Sequence, residues 1–129
     1  MEAEKKCNSI LVVEDDEPIR VTMQQILEFE GYKVFTAGDG KEGLEVLQKI
    51  DGSALILLDL MLPVMSGWEF LEALRKLSDV TKRDCPVVIV SAAGEAAKTA
   101  LERAQGFLRK PVDIETVLGT VAKYCQFAQ

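Results

Sequence analysis

The chain has 129 residues, 48% of them hydrophobic and 28% charged, and a formal net charge of −6. That length suits one domain with a sizeable core, and the negative balance excludes a sequence-independent nucleic-acid binder, which needs a basic face. Histidine is absent, which excludes histidine zinc sites, Ser-His and Cys-His catalysis, and a phosphohistidine carried by this chain itself.

Met1 to Asn8 is short and charged and lacks the apolar core of a signal peptide. Ile10-Leu11-Val12-Val13 reads as a buried strand, and it ends in four acids, Glu14 to Glu17. Pro18 fits the first turn of a helix capped near Asp16 or Glu17. Ile19, Met23, Ile26 and Leu27 repeat at helical spacing up to a stop at Gly31. Lys33 to Ala37 predicts a shorter edge strand, and Asp39-Gly40 turns the chain into a helix carrying Leu44, Leu47 and Ile50. Leu55-Ile56-Leu57-Leu58 is a continuous apolar run, as expected of a strand covered on both faces, and it delivers Asp59 just ahead of Pro63. A loop through Met65, Ser66 and Gly67 leads to a helix with Trp68, Leu71, Leu74 and Leu77. Val87-Val88-Ile89-Val90 is another buried strand and ends at Ser91. The alanine-rich segment Glu95 to Ala104 predicts a weakly packed helix. Gly106-Phe107-Leu108-Arg109 is a last short strand that delivers Lys110 to Pro111, and Ile114, Val117, Leu118, Val121 and Cys125 mark a closing amphipathic helix.

Five strands alternating with five helices imply an α/β fold with a parallel sheet, right-handed crossovers and helices on both faces. The three cysteines (Cys7, Cys85, Cys125) are scattered and form no CxxC, so they read as reduced thiols rather than a disulfide framework. No apolar run approaches the length of a membrane span. The expectation is a cytoplasmic protein with one domain over residues 1–129 and a core at about 9–126, without room for a second.

Chemistry collects where the strands end. The first strand supplies Glu14 and Asp15, the third Asp59, the fourth Ser91 and the fifth Lys110. Three carboxylates brought together repel one another unless a cation sits among them, and hard oxygen ligands in a shallow site favour Mg²⁺. A hydroxyl and an ammonium suit the remaining oxygens of a phosphoryl group, and Asp59 then has the place of a nucleophile that forms an aspartyl phosphate. Each piece has a plainer reading: Asp59 as a strand-end cap, Glu14 to Glu17 as a solvated loop favouring a helix dipole, Ser91 as a capping residue, Lys110 as a surface lysine. Their convergence at four strand ends favours the chemical reading.

Val12-Val13-Glu14-Asp15-Asp16, Leu58-Asp59-Leu60-Met61-Leu62-Pro63 with Ser66-Gly67, Val90-Ser91-Ala92 and Lys110-Pro111, in this order, resemble the receiver domain of two-component response regulators along essentially the whole chain. The resemblance implies a doubly wound, flavodoxin-like (βα)5 fold with strand order 2-1-3-4-5, and phosphorylation at Asp59 by a partner histidine kinase or histidine phosphotransfer protein. It implies Mg²⁺ held by Asp15, Asp59 and the backbone carbonyl of Met61, with Glu14 helping through water. Ser91 and Lys110 would contact the phosphoryl group, Ser91 and Phe107 would form the conformational switch, and Lys110-Pro111 would be a cis peptide. A downstream protein would read the output, with no direct nucleic-acid contact, no membrane insertion and no dedicated enzyme activity.

Two departures from the family pattern stand out. Ser91 replaces the commoner threonine, and Ser91 to Lys110 is about three positions short, close to one helical turn, which puts the family's common dimer mode in doubt. The competing reading is a docking module that keeps the fold and ignores phosphate; the retained acids, Ser91 and Lys110 argue against it. A phosphatase of the haloacid-dehalogenase type needs a second acid where Met61 stands. A flavin or dinucleotide binder needs a glycine-rich first loop where Glu14 to Glu17 would repel phosphate.

Overall fold

The computed structural model describes residues 9–92 and 104–125. Its elements in chain order are β1 (Ser9–Val13), α1 (Glu17–Phe29), β2 (Lys33–Ala37), α2 (Gly40–Lys49), β3 (Leu55–Leu58), α3 (Gly67–Arg75), α4 (Val80–Arg83), β4 (Val87–Ser91), β5 (Gly106–Arg109) and α5 (Ile114–Tyr124). The strands pair in parallel in the order β2-β1-β3-β4-β5, with Val13 opposite both Ala37 and Leu58.

Side chains alternate across a strand, so each apolar run feeds two cores. Leu11, Val13, Ile56, Leu58, Val87 and Ile89 pack with Leu47 of α2 and Phe70, Leu71 and Leu74 of α3. Ile10, Val12, Leu55, Leu57, Val88 and Val90 pack on the opposite face with Met23 and Leu27 of α1 and Val117 and Val121 of α5. This two-sided cover is why the runs Ile10–Val13 of β1, Leu55–Leu58 of β3 and Val87–Val90 of β4 are apolar without interruption.

The helix starts follow their caps. Asp16 accepts from the Ile19 amide and opens α1, with Pro18 in its first turn, where a missing N–H costs nothing. Asp39 caps α2 through the Glu42 amide. Ser66 and Glu69 form a reciprocal capping box at α3. Helix α1 ends before Gly31, whose φ of 101° suits a residue without a Cβ.

Several expectations need correction. Helix α3 stops at Arg75, two residues short of Leu77, which is partly buried against the α2/α3 core. The four-residue helix α4, capped by Asp79, was not anticipated. Cys125 is disulfide-bonded, contrary to the reading of three reduced thiols, whereas Cys85 is free and buried. The helix expected over Glu95 to Ala104 lies, up to residue 103, outside the described residues. Among the described residues, no helix is long and apolar enough to cross a membrane.

Candidate functional site

The chain leaves β1 for β2 on one side and later reaches β3 on the other, so a crevice opens between the carboxyl ends of β1 and β3. Doubly wound sheets hold their ligands at such a reversal of strand order. Glu14 and Asp15 follow β1 directly, and Asp59 follows β3. One carboxylate oxygen from each of the three lies within 4.8 Å of the others. Glu14 is 3% exposed and Asp59 5%, while Asp15 faces solvent.

Two unit charges at that separation repel by about 3 kcal/mol at the effective dielectric near a protein surface. Lys110, delivered by β5, supplies the local compensation: its ammonium stands 2.8 Å from Glu14 Oε1 and 3.1 Å from Asp59 Oδ2. Burial alone would lower the Lys110 pKa, but the hydrogen bonds to Glu14 and Asp59 outweigh it and hold it above the ordinary value. For Glu14 the balance is the reverse. Burial raises its pKa, and the opposing hydrogen bonds from Lys110 and the Asp16 amide only partly offset it. Three carboxylates against one ammonium leave a local excess of negative charge with hard oxygen donors at its mouth. That donor set fits a small divalent cation such as Mg²⁺.

The backbone fixes these groups in place. The Glu14 amide donates to the Ala37 carbonyl at 3.0 Å and the Asp59 amide to the Val13 carbonyl at 3.1 Å, so both acids extend sheet ladders. The Met61 amide donates to Asp59 Oδ1 at 3.1 Å, which sets the rotation of that carboxylate and brings the Met61 backbone beside the cluster. Gly67 closes the β3–α3 loop by donating to the Leu60 carbonyl; a Cβ there would stand 2.5 Å from the Asp59 carbonyl oxygen, so no larger residue fits without moving Asp59.

Ser91 ends β4 fully buried, and its carbonyl accepts from the Lys110 amide at 3.1 Å. Ile89 is the register partner of Phe107. Phe107 is half-buried and packs on the same core as Val87 and Ile89, the sheet face to which Ser91 also belongs by alternation. Lys110-Pro111 is cis. Glu14, Asp15, Asp59, Met61 and Lys110 therefore meet in one place, with Ser91 on the adjoining strand end and Phe107 two positions back along β5.

Two features here were not read from the sequence. Arg20 reaches back from α1 to donate Nη1–H to the Glu14 carbonyl at 2.9 Å; its only sequence signal was a basic residue five positions after Asp15. Val64 adopts a φ of 66° within the loop that follows Asp59, and a valine gives no warning of that conformation.

The family model described as the response regulator receiver domain matches residues 10–122. The transcriptional regulatory protein YkoG of Bacillus subtilis is 39% identical over 115 residues, covering 87% of this chain and 48% of that protein; the chain spans about half the length of several such curated relatives. Sporulation initiation phosphotransferase F, also of Bacillus subtilis, is 31% identical, covering 89% of this chain and 91% of that protein. Among solved structures, the chemotaxis protein CheY4 of Vibrio cholerae superposes with a TM-score of 0.79 at 32% identity, covering 90% of this chain and 97% of that one. TrrA of Thermotoga maritima, solved in complex with Mg²⁺ and BeF, does so with a TM-score of 0.76 at 28% identity, over 90% and 97% of the two chains. Sheet order, strand-end chemistry and these likenesses agree: the chain belongs to the response regulator receiver domain family, the phosphorylation-dependent signalling modules of two-component systems.

Proposed function

We propose that this chain is a cytoplasmic switch that takes a phosphoryl group onto Asp59 from a partner histidine kinase or histidine phosphotransfer protein. The observation that carries this reading is the Lys110 ammonium shared between Glu14 and Asp59, beside the exposed carboxylate of Asp15. The donor histidine lies outside these 129 residues, which contain none. An apolar groove of about 280 Å³ between the start of α1 and Val112–Ile114 adjoins the acidic loop and offers a seat for a donor helix.

Asp59 is the nucleophile. One of its oxygens attacks phosphorus as the phosphorus–nitrogen bond of the donor breaks, and the donor imidazole leaves with that electron pair. The Met61 amide holds the carboxylate rotamer through the step. Asp15, Asp59 and the Met61 carbonyl would hold Mg²⁺, with Glu14 reaching it through water; the ion supplies neutralisation of charge on the transferring phosphoryl group. Lys110 turns from Asp59 Oδ2 toward a phosphoryl oxygen, a charge-assisted contact of the same kind. The Ser91 hydroxyl engages another oxygen, and Phe107 follows it inward on the shared sheet face. The transfer ends on the chain's own aspartate, so this is a switch rather than a dedicated enzyme, and a downstream protein reads the altered surface.

Mass spectrometry after incubation with acetyl phosphate and Mg²⁺ tests the reading. The wild type should gain one hydroxylamine-sensitive phosphoryl group and Asp59→Asn none. Full phosphorylation of Asp59→Asn, or an unchanged rate in excess EDTA, would refute it; a wild type that never gains phosphate would point to a docking module.

A further inference from the structure

Asp15 is the acid of the cluster that faces solvent, and among the described residues its side chain makes no hydrogen bond or ion pair. Its place is set by the backbone on either side of it. Arg20 grips both sides. Its amide donates to the Asp16 carbonyl at 2.9 Å, the first backbone bond of α1, and its Nη1–H donates to the Glu14 carbonyl, also at 2.9 Å. The amide bond is generic to a helix start; the guanidinium bond is particular to this side chain and spans the turn that carries Asp15.

The remaining atoms of Glu14 are occupied elsewhere. Its amide is bonded to Ala37, one carboxylate oxygen to Lys110, and the other to the Asp16 amide at 3.2 Å. The carbonyl that Arg20 takes is therefore the last free anchor of that residue. The guanidinium lies beside Gly38, where a Cβ would stand in ordinary van der Waals contact at 3.5 Å from Nη1, and Gly38 is itself pinned by a 2.7 Å bond from its amide to Glu42 Oε1. A charged donor on a neutral acceptor makes a stronger bond than two neutral partners do.

We infer that Arg20 is a positioning residue for divalent-cation binding: it clamps the β1–α1 turn so that the Asp15 carboxylate is presented to the ion without a search. This rests on the reading of the acidic cluster as the Mg²⁺ site. Without the clamp the turn samples other conformations, and only a fraction of molecules offers Asp15 correctly, so apparent metal affinity falls by that fraction. Once metal is saturating, the turn is held by the ion and the step at Asp59 is unaffected.

Isothermal titration calorimetry with MgCl₂ in the absence of phosphodonor, alongside the Mg²⁺ dependence of phosphorylation by acetyl phosphate, tests this in wild type, Arg20→Met and Arg20→Lys. Arg20→Met should weaken Mg²⁺ binding by roughly ten- to a hundred-fold, the range expected for losing one charge-assisted bond. The phosphorylation rate at saturating Mg²⁺ should stay within about two-fold of wild type, and Arg20→Lys, which keeps a charged donor, should recover part of the affinity. Unchanged Mg²⁺ affinity in Arg20→Met, or a fall in the saturated rate alone, would overturn the inference. A wild type that binds no Mg²⁺ would instead overturn the reading of the acidic cluster. Circular dichroism confirms folding of each variant, and Arg20→Gln replaces Arg20→Met should the latter fail to fold.

Discussion

Val64 holds a β-branched side chain at a φ of 66° while 76% exposed. The Met65 amide donates back to the Pro63 carbonyl at 2.6 Å, so these three residues form a γ-turn of the positive-φ kind, a strained conformation. For a branched residue that region costs on the order of 1–3 kcal/mol, and an exposed side chain returns little by burial. Val64→Gly should therefore stabilise the protein by about 1 kcal/mol, after allowing for the extra freedom glycine gives the unfolded chain. Urea titration would show a raised midpoint at unchanged slope; a lowered midpoint would mean that the valine side chain contributes more than its strain removes. Glu14 offers a second residue-level test. Burial raises its pKa above 4.5, so between 4.5 and its native value the folded protein keeps a proton that the unfolded chain has released. Its contribution to stability is fully present below pH 4.5 and is lost as pH rises through the raised native value. In metal-free buffer, Glu14→Gln should gain stability relative to wild type across that interval. A constant difference between the two at every pH would show that Lys110 compensates Glu14 fully.

At the scale of elements, the loops at the far end of the sheet are tied by one buried cation. Lys82 of α4 is 6% exposed, and its ammonium donates to the carbonyls of Ile50 and, at 2.6 Å, Gly52. Ile50 is the C-cap of α2, so the lysine meets the negative end of that helix and joins α4 to the loop entering β3. Removing the ammonium leaves two carbonyls without this donor, and a hydrogen bond from a charged group contributes about 1.5–3 kcal/mol. Lys82→Met, which keeps the stem, should lower unfolding stability by about 2 kcal/mol in urea titrations and leave phosphorylation of Asp59 unchanged. A variant as stable as wild type would mean that water replaces the ammonium. None of this was legible in the sequence. A lysine in the polar stretch Thr81-Lys82-Arg83 looks solvated, and its acceptors lie some thirty positions earlier on another connection. The strands were legible because burial on both faces writes an unbroken apolar run, as in Leu55–Leu58 and Val87–Val90. The strand-end acids and Lys110 were legible because parallel topology brings all carboxyl ends to one edge. Arg20 and the Val64 turn were not, since each depends on a local backbone contact that residue type alone does not encode. Helix α4 had a weak signal, Asp79 in a capping position, but too few residues to show a period.

Across the whole molecule, the candidate site draws on both halves of the sheet: carboxylates come from β1 and β3, and the hydroxyl and ammonium from β4 and β5. On the proposed function, a phosphoryl group on Asp59 would meet groups on β4 and β5, where the resting carboxylate is bonded to Lys110. A ligand shifts a conformational equilibrium only by its differential contacts with the two states, and on that proposal the differential contacts would be those of the phosphoryl oxygens with Ser91 and Lys110. The response should be carried by Ser91, Phe107 and the loop from Leu60 to Gly67, while α2 and most of the core it shares with α3 keep their packing. The α2 helix meets the site loop chiefly at its first residue, where Gly40 donates to the Met65 carbonyl at 3.2 Å; the rest of that helix is held by the Leu47 side of the core. Amide hydrogen exchange with Mg²⁺ and beryllofluoride, compared with Mg²⁺ alone, should change protection at Ser91, at Phe107 and from Leu60 to Gly67, and leave Leu44 to Lys49 as they were. The far-ultraviolet circular dichroism should be the same in both states, because a population shift moves side chains and loops without rebuilding the fold. Protection that changed only within α2 would mean that the signal leaves along the β1–β3 end of that same face of the sheet, and Ser91 and Phe107 would then be core residues without a part in the switch.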